Sequence, residues 1–388
     1  MKQPSELKLQ FLVFSLVMAA ISNLYIPQPV LPVLQSEFGV SASAASRTVS
    51  AAILGVALAN LPFGMLADTY GIKAIILIGG FVVSISGFFC AATNSLDLLI
   101  IARFIQGLFI PAVTTCLAAY LSRNLPIQRL NVVMGSYVSA TVAGGLGGRL
   151  LGGWVHTPLH WRYAFVSAAV FLLVTTIAAV RLLSPGVPAA VSDQRPLGFI
   201  ELIRRKELIK IYLVPFTAFF VFSSIFNYLP FYLAGAPFNA PTGIITLMYL
   251  AYIVGIAIGP IAGRVSNRIG NGKTMALGAS LFALAIVITL IKSMIVIAFC
   301  MAIVCGGFFG VHAAAVGALN SKLTSSQGRA NSLYVLFYYL GGAVGITCSG
   351  YAYATRGWNG VVILGCIVLL VPFFTGITEK GKGGIGVM

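Results

Sequence analysis

The sequence predicts an all-α membrane protein, with twelve transmembrane helices arranged as two pseudo-symmetric six-helix bundles. Three observations lead there: the composition, the distribution of basic residues and an internal repeat. Of 388 residues, 59% are hydrophobic and 8% are charged, and mean hydropathy is +0.99. An ordinary soluble domain carries about 25% charged residues. A soluble core cannot hide this much apolar surface, whereas lipid can. A bilayer-crossing helix needs roughly 20 mostly apolar residues, and such stretches fill almost the whole chain.

Hydropathy places the spans at 10–33, 43–66, 74–93, 96–121, 130–154, 161–183, 209–234, 243–266, 274–292, 294–320, 331–353 and 358–377; they are helices 1 to 12 below. Net charge is +16. In a soluble protein such a balance would point to nucleic acid. In a membrane protein it follows from the excess of Lys and Arg in cytoplasmic loops, so no nucleic-acid partner is expected. With both termini cytoplasmic, eighteen of the 24 basic residues fall on the inner side, Arg123, Arg129, Arg264, Arg268 and Arg329 among them. Only Arg162, Lys292 and Arg356 fall outside, while Arg47, Arg103 and Arg149 lie within or near the outer ends of helices. The bias supports an even number of helices. The N-terminal region shows no cleavable signal, and all six cysteines lie within apolar spans without metal-ligand spacing.

The longest polar break, 184–208, holds Pro185, Pro188, Asp193, Arg195 and Pro196, then an amphipathic run from Glu201 to Lys206. It divides the chain into an N-terminal bundle (1–183), a cytoplasmic linker (184–208) and a C-terminal bundle (209–388). The halves repeat. Gly64–Asp68 and Gly71 match Gly263–Asn267 and Gly270 at an offset of 199. Gly107 matches Gly307, and Arg129 and Asn131 match Arg329 and Asn331, at 200; Trp161 matches Trp358. Duplicated helical units are typical of secondary transporters, whose binding sites lie near the membrane midplane between repeats.

These residues carry a resemblance to the major facilitator superfamily that spans essentially the whole chain. The segment from Gly64 through Asp68 and Gly71 to Lys73 resembles the family's loop 2–3 motif, and Arg103, Gln106 and Gly107 its helix 4 motif. Gly144, Gly148, Gly152 and Gly153 resemble the helix 5 antiporter motif, although Arg149 stands where proline is usual. Pro27, Pro29 and Pro32 end helix 1 as in the twelve-helix drug:proton antiporter branch, and the helix 10 run from Gly306 to His312 is similar to that of bacterial efflux permeases. The resemblance implies two bundles that close alternately on one central cavity. It also implies a cytoplasmic latch at Gly64, Asp68, Gly71 and Lys73. Thr69 and Ile72 replace the usual basic residues, and Asn267 replaces the second Asp.

Ionisable groups inside a bilayer are costly and usually functional. Arg103 lies roughly 10 Å and Arg149 roughly 8 Å from the outer ends of their helices, at 1.5 Å per residue. With Arg47 they make a candidate basic cluster in the N-terminal bundle. Asp97, Glu37 and backbone carbonyls are its candidate partners. Arg103 reads as a structural pin, bonding helix 1 carbonyls or pairing with Asp97, or else as an anion-attracting wall or part of a proton relay. His312, deep in helix 10, reads as a proton or substrate ligand or as a packing histidine. None of the eight carboxylates falls in the middle third of a span, which favours a neutral or anionic substrate over a cation. If protons couple, Asp97, His312 or Glu37 carries them. Cavity candidates are Asn23, Tyr25, Gln28, Gln106, Tyr137, Asn227, Tyr249, Phe337 and Tyr338, where aromatic side chains equally suit a lipid-facing belt.

Three histidines and no carboxylate cluster argue against a membrane-embedded enzyme, and no filter segment argues for a channel. The sequence leads to a secondary transporter of small organic molecules in a bacterial inner membrane. Proton-coupled export is the first reading; uniport, or uptake of an organic anion, is the alternative. No cofactor or metal is expected, and each chain, holding both bundles, is expected to work as a monomer.

Overall fold

The structure, a computed structural model, describes residues 6–183, 198–323 and 326–379; most of the predicted linker therefore lies outside the described residues. Every regular element among the described residues is a helix, and the spans follow the predicted order: Glu6–Tyr25 continued by Leu31–Glu37, then Ala42–Thr69, Ile72–Ala92, Leu96–Asn124, Ile127–His156, Trp161–Leu182, Lys206–Ala234, Thr242–Ile269 with a break, Asn271–Ile288, Met294–Ser321, and Gln327–Thr378, which contains two. The amphipathic end of the linker forms a short helix, Phe199–Arg204, that buries Leu202.

Three elements differ in detail from the hydropathy reading. Helix 1 does not end at its prolines. A 3-10 turn, Gln28–Val30, follows Pro27, and a second helix, Leu31–Glu37, continues the span. Pro29 and Pro32 sit in first-turn positions, where a missing N–H costs nothing, so the prolines bend the span instead of closing it. Helix 8 is likewise interrupted by a 3-10 turn at Met248–Ala251. Helices 11 and 12 are joined by one residue, Gly357, at φ 57° and ψ −144°, a conformation that suits glycine.

The chain divides into two compact units. One comprises 1–193 with 233–250, the other 194–232 with 251–388. In the first, helix 5 packs along helix 1 and helix 2 along helix 4. Glycines permit the close approach. A Cβ on Gly144, Gly148 or Gly152 would lie 2.7, 2.1 or 2.0 Å from the carbonyl oxygens of Met18, Ser22 and Ile26. Gly107 meets the Ala52 carbonyl in the same way. In the second unit, Gly341 and Gly345 of helix 11 meet the carbonyl oxygens of Phe216 and Phe220 of helix 7 at 2.0 and 2.3 Å. Helix 5 against helix 1 and helix 11 against helix 7 are thus the same packing, repeated. Gly307 departs from its sequence match Gly107, because it packs on Gly278 and Phe282 of helix 9.

Candidate functional site

Arg103 is completely buried, and the bend in helix 1 explains why. Pro27 has no N–H to give the Asn23 carbonyl, and the carbonyls ending the first helical segment lack intrahelical donors. Arg103 supplies them. Its Nη1 donates to Asn23 O at 2.6 Å, its Nη2 to Leu24 O at 2.6 Å and its Nε to Thr48 O of helix 2 at 3.0 Å. Nη1 also donates to Gln106 Oε1 at 2.5 Å. Gln106 is itself buried and donates through Nε2 to Val83 O of helix 3 at 3.2 Å. One guanidinium, with five donors in a rigid fork, therefore ties helix 4 to helices 1 and 2. Its partners are neutral oxygens, and the Phe165 ring lies 5.6 Å away.

Arg149 is 2% exposed. Its Nε donates to Gln28 Oε1 at 2.6 Å and its Nη1 to Gly145 O at 2.5 Å. The guanidinium carbon lies 3.9 Å from the Tyr25 ring centroid and 5.5 Å from that of Tyr249, within the range of cation–π attraction. Tyr249 comes from 233–250, the segment grouped with this unit, and Thr246 beside it closes on Gly153. Gln28 is fully buried, and its amide nitrogen has no hydrogen-bond partner among the described residues. The same holds for Asn23 Oδ1. Burying such groups unpaired is costly, and unpaired groups beside a buried cation are what a binding site offers a polar ligand. The structure thus brings Tyr25, Gln28, Arg149 and Tyr249 together, and Arg103, Gln106 and Asn23 into an adjoining set.

Arg47 and Asp97 join neither set, since both are exposed near the ends of helices 2 and 4. Glu37 belongs elsewhere too. It accepts from Trp161 Nε1 at 2.5 Å and from Arg162 Nη2 at 3.1 Å, with His160 Nε2 at 3.6 Å. Arg162 also donates to the carbonyls of Ala91 and Thr93. This cluster closes the start of helix 6 onto the end of helix 1. Tyr137 is half-buried and donates to Thr114 O at 3.2 Å.

The second unit has a different interior. Phe219 stacks on Tyr338 at 3.9 Å, Phe222 on Phe308 at 3.9 Å, and Tyr212 on Phe337 at 5.4 Å. Asn227 is buried one helical turn beyond Ser223 and Ser224. His312, partly buried, lies in this aromatic stack. Its Nδ1 is 3.0 Å from the Tyr334 hydroxyl, and the Tyr338 ring is 5.4 Å away.

At the loop 2–3 motif, Gly64 is open enough for a Cβ, Lys73 is half-buried and Gly71 caps helix 3 at φ −62°. The Asp68 side chain lies outside the described residues. The turn does not demand glycine at 71, whereas its repeat partner Gly270, at φ 90°, does require one.

Sequence reasoning missed two partners. Tyr334 stands four residues before Tyr338, hence on the same helical face, so the spacing held the signal. Arg162 was counted only as an outer charge, although its position after the repeated Trp161 tied it to the end of a helix.

Comparison with known proteins agrees with this architecture. The family model described as Major Facilitator Superfamily matches residues 13–259 and 233–378. The Escherichia coli (strain K12) inner membrane transport protein YnfM is 27% identical over 96% of this chain and 90% of its own length. The Bacillus subtilis (strain 168) uncharacterized MFS-type transporter YybF is 27% identical over 95% of this chain and 92% of its own. Among solved structures, a bacterial homologue of the human lysosomal transporter Spinster, in an inward-facing and occupied conformation, superposes with TM-score 0.78 at 13% identity, covering 97% of this chain and 96% of that one. The human organic anion transporter MFSD10 superposes with TM-score 0.72 at 17% identity, covering 96% and 100%. With the repeated helix packing and a family match across nearly all of its spans, this chain belongs to the Major Facilitator Superfamily of membrane transporters.

Proposed function

We propose that this transporter exports a neutral or anionic small organic compound across a bacterial inner membrane by alternating access, in exchange for protons, working as a monomer with both termini cytoplasmic. The observation that carries the reading is Arg149. It is buried against Gln28, Tyr25 and Tyr249, beside an amide nitrogen that has no acceptor among the described residues, in a chain with no carboxylate in the middle third of any predicted span. A buried positive charge in low dielectric attracts an anion and repels a cation. A carboxylate or carbonyl oxygen there would accept from Gln28 Nε2 and lie beside the Arg149 charge. Exporters of organic cations need the opposite arrangement, a buried acid.

Support for the orientation comes from the eighteen inner basic residues against three outer ones. Gly64, Asp68, Gly71 and Lys73 fit a cytoplasmic latch, with Asp68 near the end of helix 2. The alternative is proton-independent uniport, or uptake of an organic anion. One feature favours it: Arg149 replaces the proline of the helix 5 antiporter motif.

The test uses purified protein in liposomes, with a panel of anionic, neutral and cationic metabolites and antibiotics followed with and without an imposed pH gradient. Uphill movement of an anionic or neutral compound against proton flux is expected. Arg149→Ala is expected to abolish that movement while the protein stays folded by thermal unfolding. Gradient-independent equilibration establishes the uniporter instead. Unaltered transport in Arg149→Ala removes the arginine from the site.

A further inference from the structure

We propose that His312 and Tyr334 together form the proton-binding site of the C-terminal half; the inference builds on the proton-coupled reading above. The geometry is that of a two-state hydrogen bond. The Tyr334 hydroxyl lies 3.0 Å from His312 Nδ1 and 3.3 Å from the backbone carbonyl oxygen of the same His312. It therefore has two acceptors within reach and itself carries lone pairs.

With the imidazole neutral and Nδ1 bare, the hydroxyl donates to Nδ1. When Nδ1 takes up a proton, the direction reverses. The new Nδ1–H donates to the Tyr334 oxygen, and the hydroxyl hydrogen turns to the His312 carbonyl. Each state keeps the hydroxyl proton and, once bound, the Nδ1 proton hydrogen-bonded, and the change needs only a rotation about the phenol C–O bond. The Nδ1–H bond forms as an O–H bond of a solvent hydronium ion breaks, leaving water, and the charge of the site rises by one.

The surroundings leave this role to His312. From helix 11 it meets the rings of Tyr334 and Tyr338, at 5.3 and 5.4 Å, and from helix 10 that of Phe308, at 6.2 Å. Charged groups on the neighbouring helices sit at their ends. Arg264 and Arg268 of helix 8 and Lys273 of helix 9 are exposed, and Arg329 of helix 11 lies over the Phe199 ring at 5.6 Å. Glu37 is held by Trp161 and Arg162, and Asp97 is exposed in the first turn of helix 4. Neither has His312's place within a span.

The test titrates the full-length protein in lipid nanodiscs with isotope-labelled histidine, over about pH 5–9, the range that brackets an ordinary imidazole. His312→Asn assigns the signal against His156 and His160. The His312 ring is expected to titrate reversibly, with the proton at Nδ1. Tyr334→Phe is expected to weaken its proton binding roughly tenfold, the excess of a hydrogen bond to the charged ring over one to the neutral ring. Tyr338→Phe, which keeps its ring beside the histidine, is expected to leave it unchanged. An imidazole that stays neutral throughout overturns the proposal, and so does a titration that Tyr334→Phe leaves in place. The measurement uses no substrate, so it fails or succeeds independently of the liposome result.

Discussion

Helix 5 lays three glycines on the main chain of helix 1, and helix 11 lays two on that of helix 7. Ser22 Oγ donates to Gly144 O at 3.2 Å, and Ser223 Oγ to Gly342 O at 3.0 Å. The halves share the glycine-to-carbonyl packing of helix 5 on helix 1 and helix 11 on helix 7, yet their interiors differ. At the sequence offset of 200 Arg103 falls on Ile303, which is 44% exposed, and at the offset of 197 that relates Gly144 to Gly341 Arg149 falls on Ile346, whose carbonyl accepts from Tyr228. The N-terminal half holds two buried guanidiniums. The C-terminal half holds stacked rings and one imidazole. Duplication has thus preserved the approach of the helices and released the chemistry between them: one half carries fixed charge, and the other a group that can change its charge.

The sharpest way to break this comparison is at Arg103. Arg103→Ala strands the carbonyls of Asn23 and Leu24 at the break in helix 1 and removes one donor each from the Thr48 carbonyl and the Gln106 amide oxygen. It is expected to cost about 4 kcal/mol or more, at 1–3 kcal/mol for each buried group left unpaired. Thermal unfolding in detergent reads this as loss of folded protein, while Ile303→Ala, on the exposed face, stays near wild type. Equal stability of the two variants would mean that Arg103 is no pin. Next come the glycine ridges. Gly148→Ala and Gly345→Ala are each expected to destabilise by about 2 kcal/mol through overpacking. Gly147→Ala, whose Cβ would find Met18 Cε at 3.5 Å, is expected to be neutral in the same melts. A loss in one half alone would deny that the packing is shared.

Smaller effects separate the two indoles. Trp161 Nε1 donates to a carboxylate, and Trp358 Nε1 to Thr289 Oγ1 at 2.9 Å. Phenylalanine is expected to cost about 2 kcal/mol at 161 and about 1 kcal/mol at 358, because bonds to charged groups are the stronger. The smallest contrast is at the repeated turns. Gly270→Ala is expected to cost about 1 kcal/mol and Gly71→Ala nearly nothing, because only Gly270 has a positive φ. A denaturant series on both variants checks it.

The spans were legible because lipid demands long apolar runs, and a run of roughly twenty residues admits one reading. The duplication was legible in the spacing of Gly64, Asp68, Trp161 and their partners. Breaks within spans were not. Pro27, Pro29 and Pro32 read as an ending, but three prolines close together can also bend a span that other side chains stabilise, and the side chain that does so, Arg103, is eighty residues away. For the same reason the sequence offered both roles for Arg103 and could not place Glu37 with Arg162. Depth along a helix follows from counting residues, whereas azimuth, which decides partners, follows from packing. Tyr25 and Gln28 were named as candidates, but their convergence on Arg149 depends on the bend between them. Tyr249 reaches the same arginine because 233–250 packs with the first unit, a grouping with no counterpart in hydropathy.

The glycine ridge also sets an evolutionary asymmetry. A glycine pressed against a main-chain oxygen fixes its own identity, because any Cβ collides. It places no demand on the side chain of the residue that owns the oxygen, since every amino acid carries that carbonyl. Positions 144, 148 and 152 are therefore closed to substitution, while 18, 22 and 26 opposite them remain open wherever their own side chains are not otherwise engaged. Helix 1 can drift toward new side chains without losing its seat, and a scaffold held in this way can change what it carries before it changes how it is built.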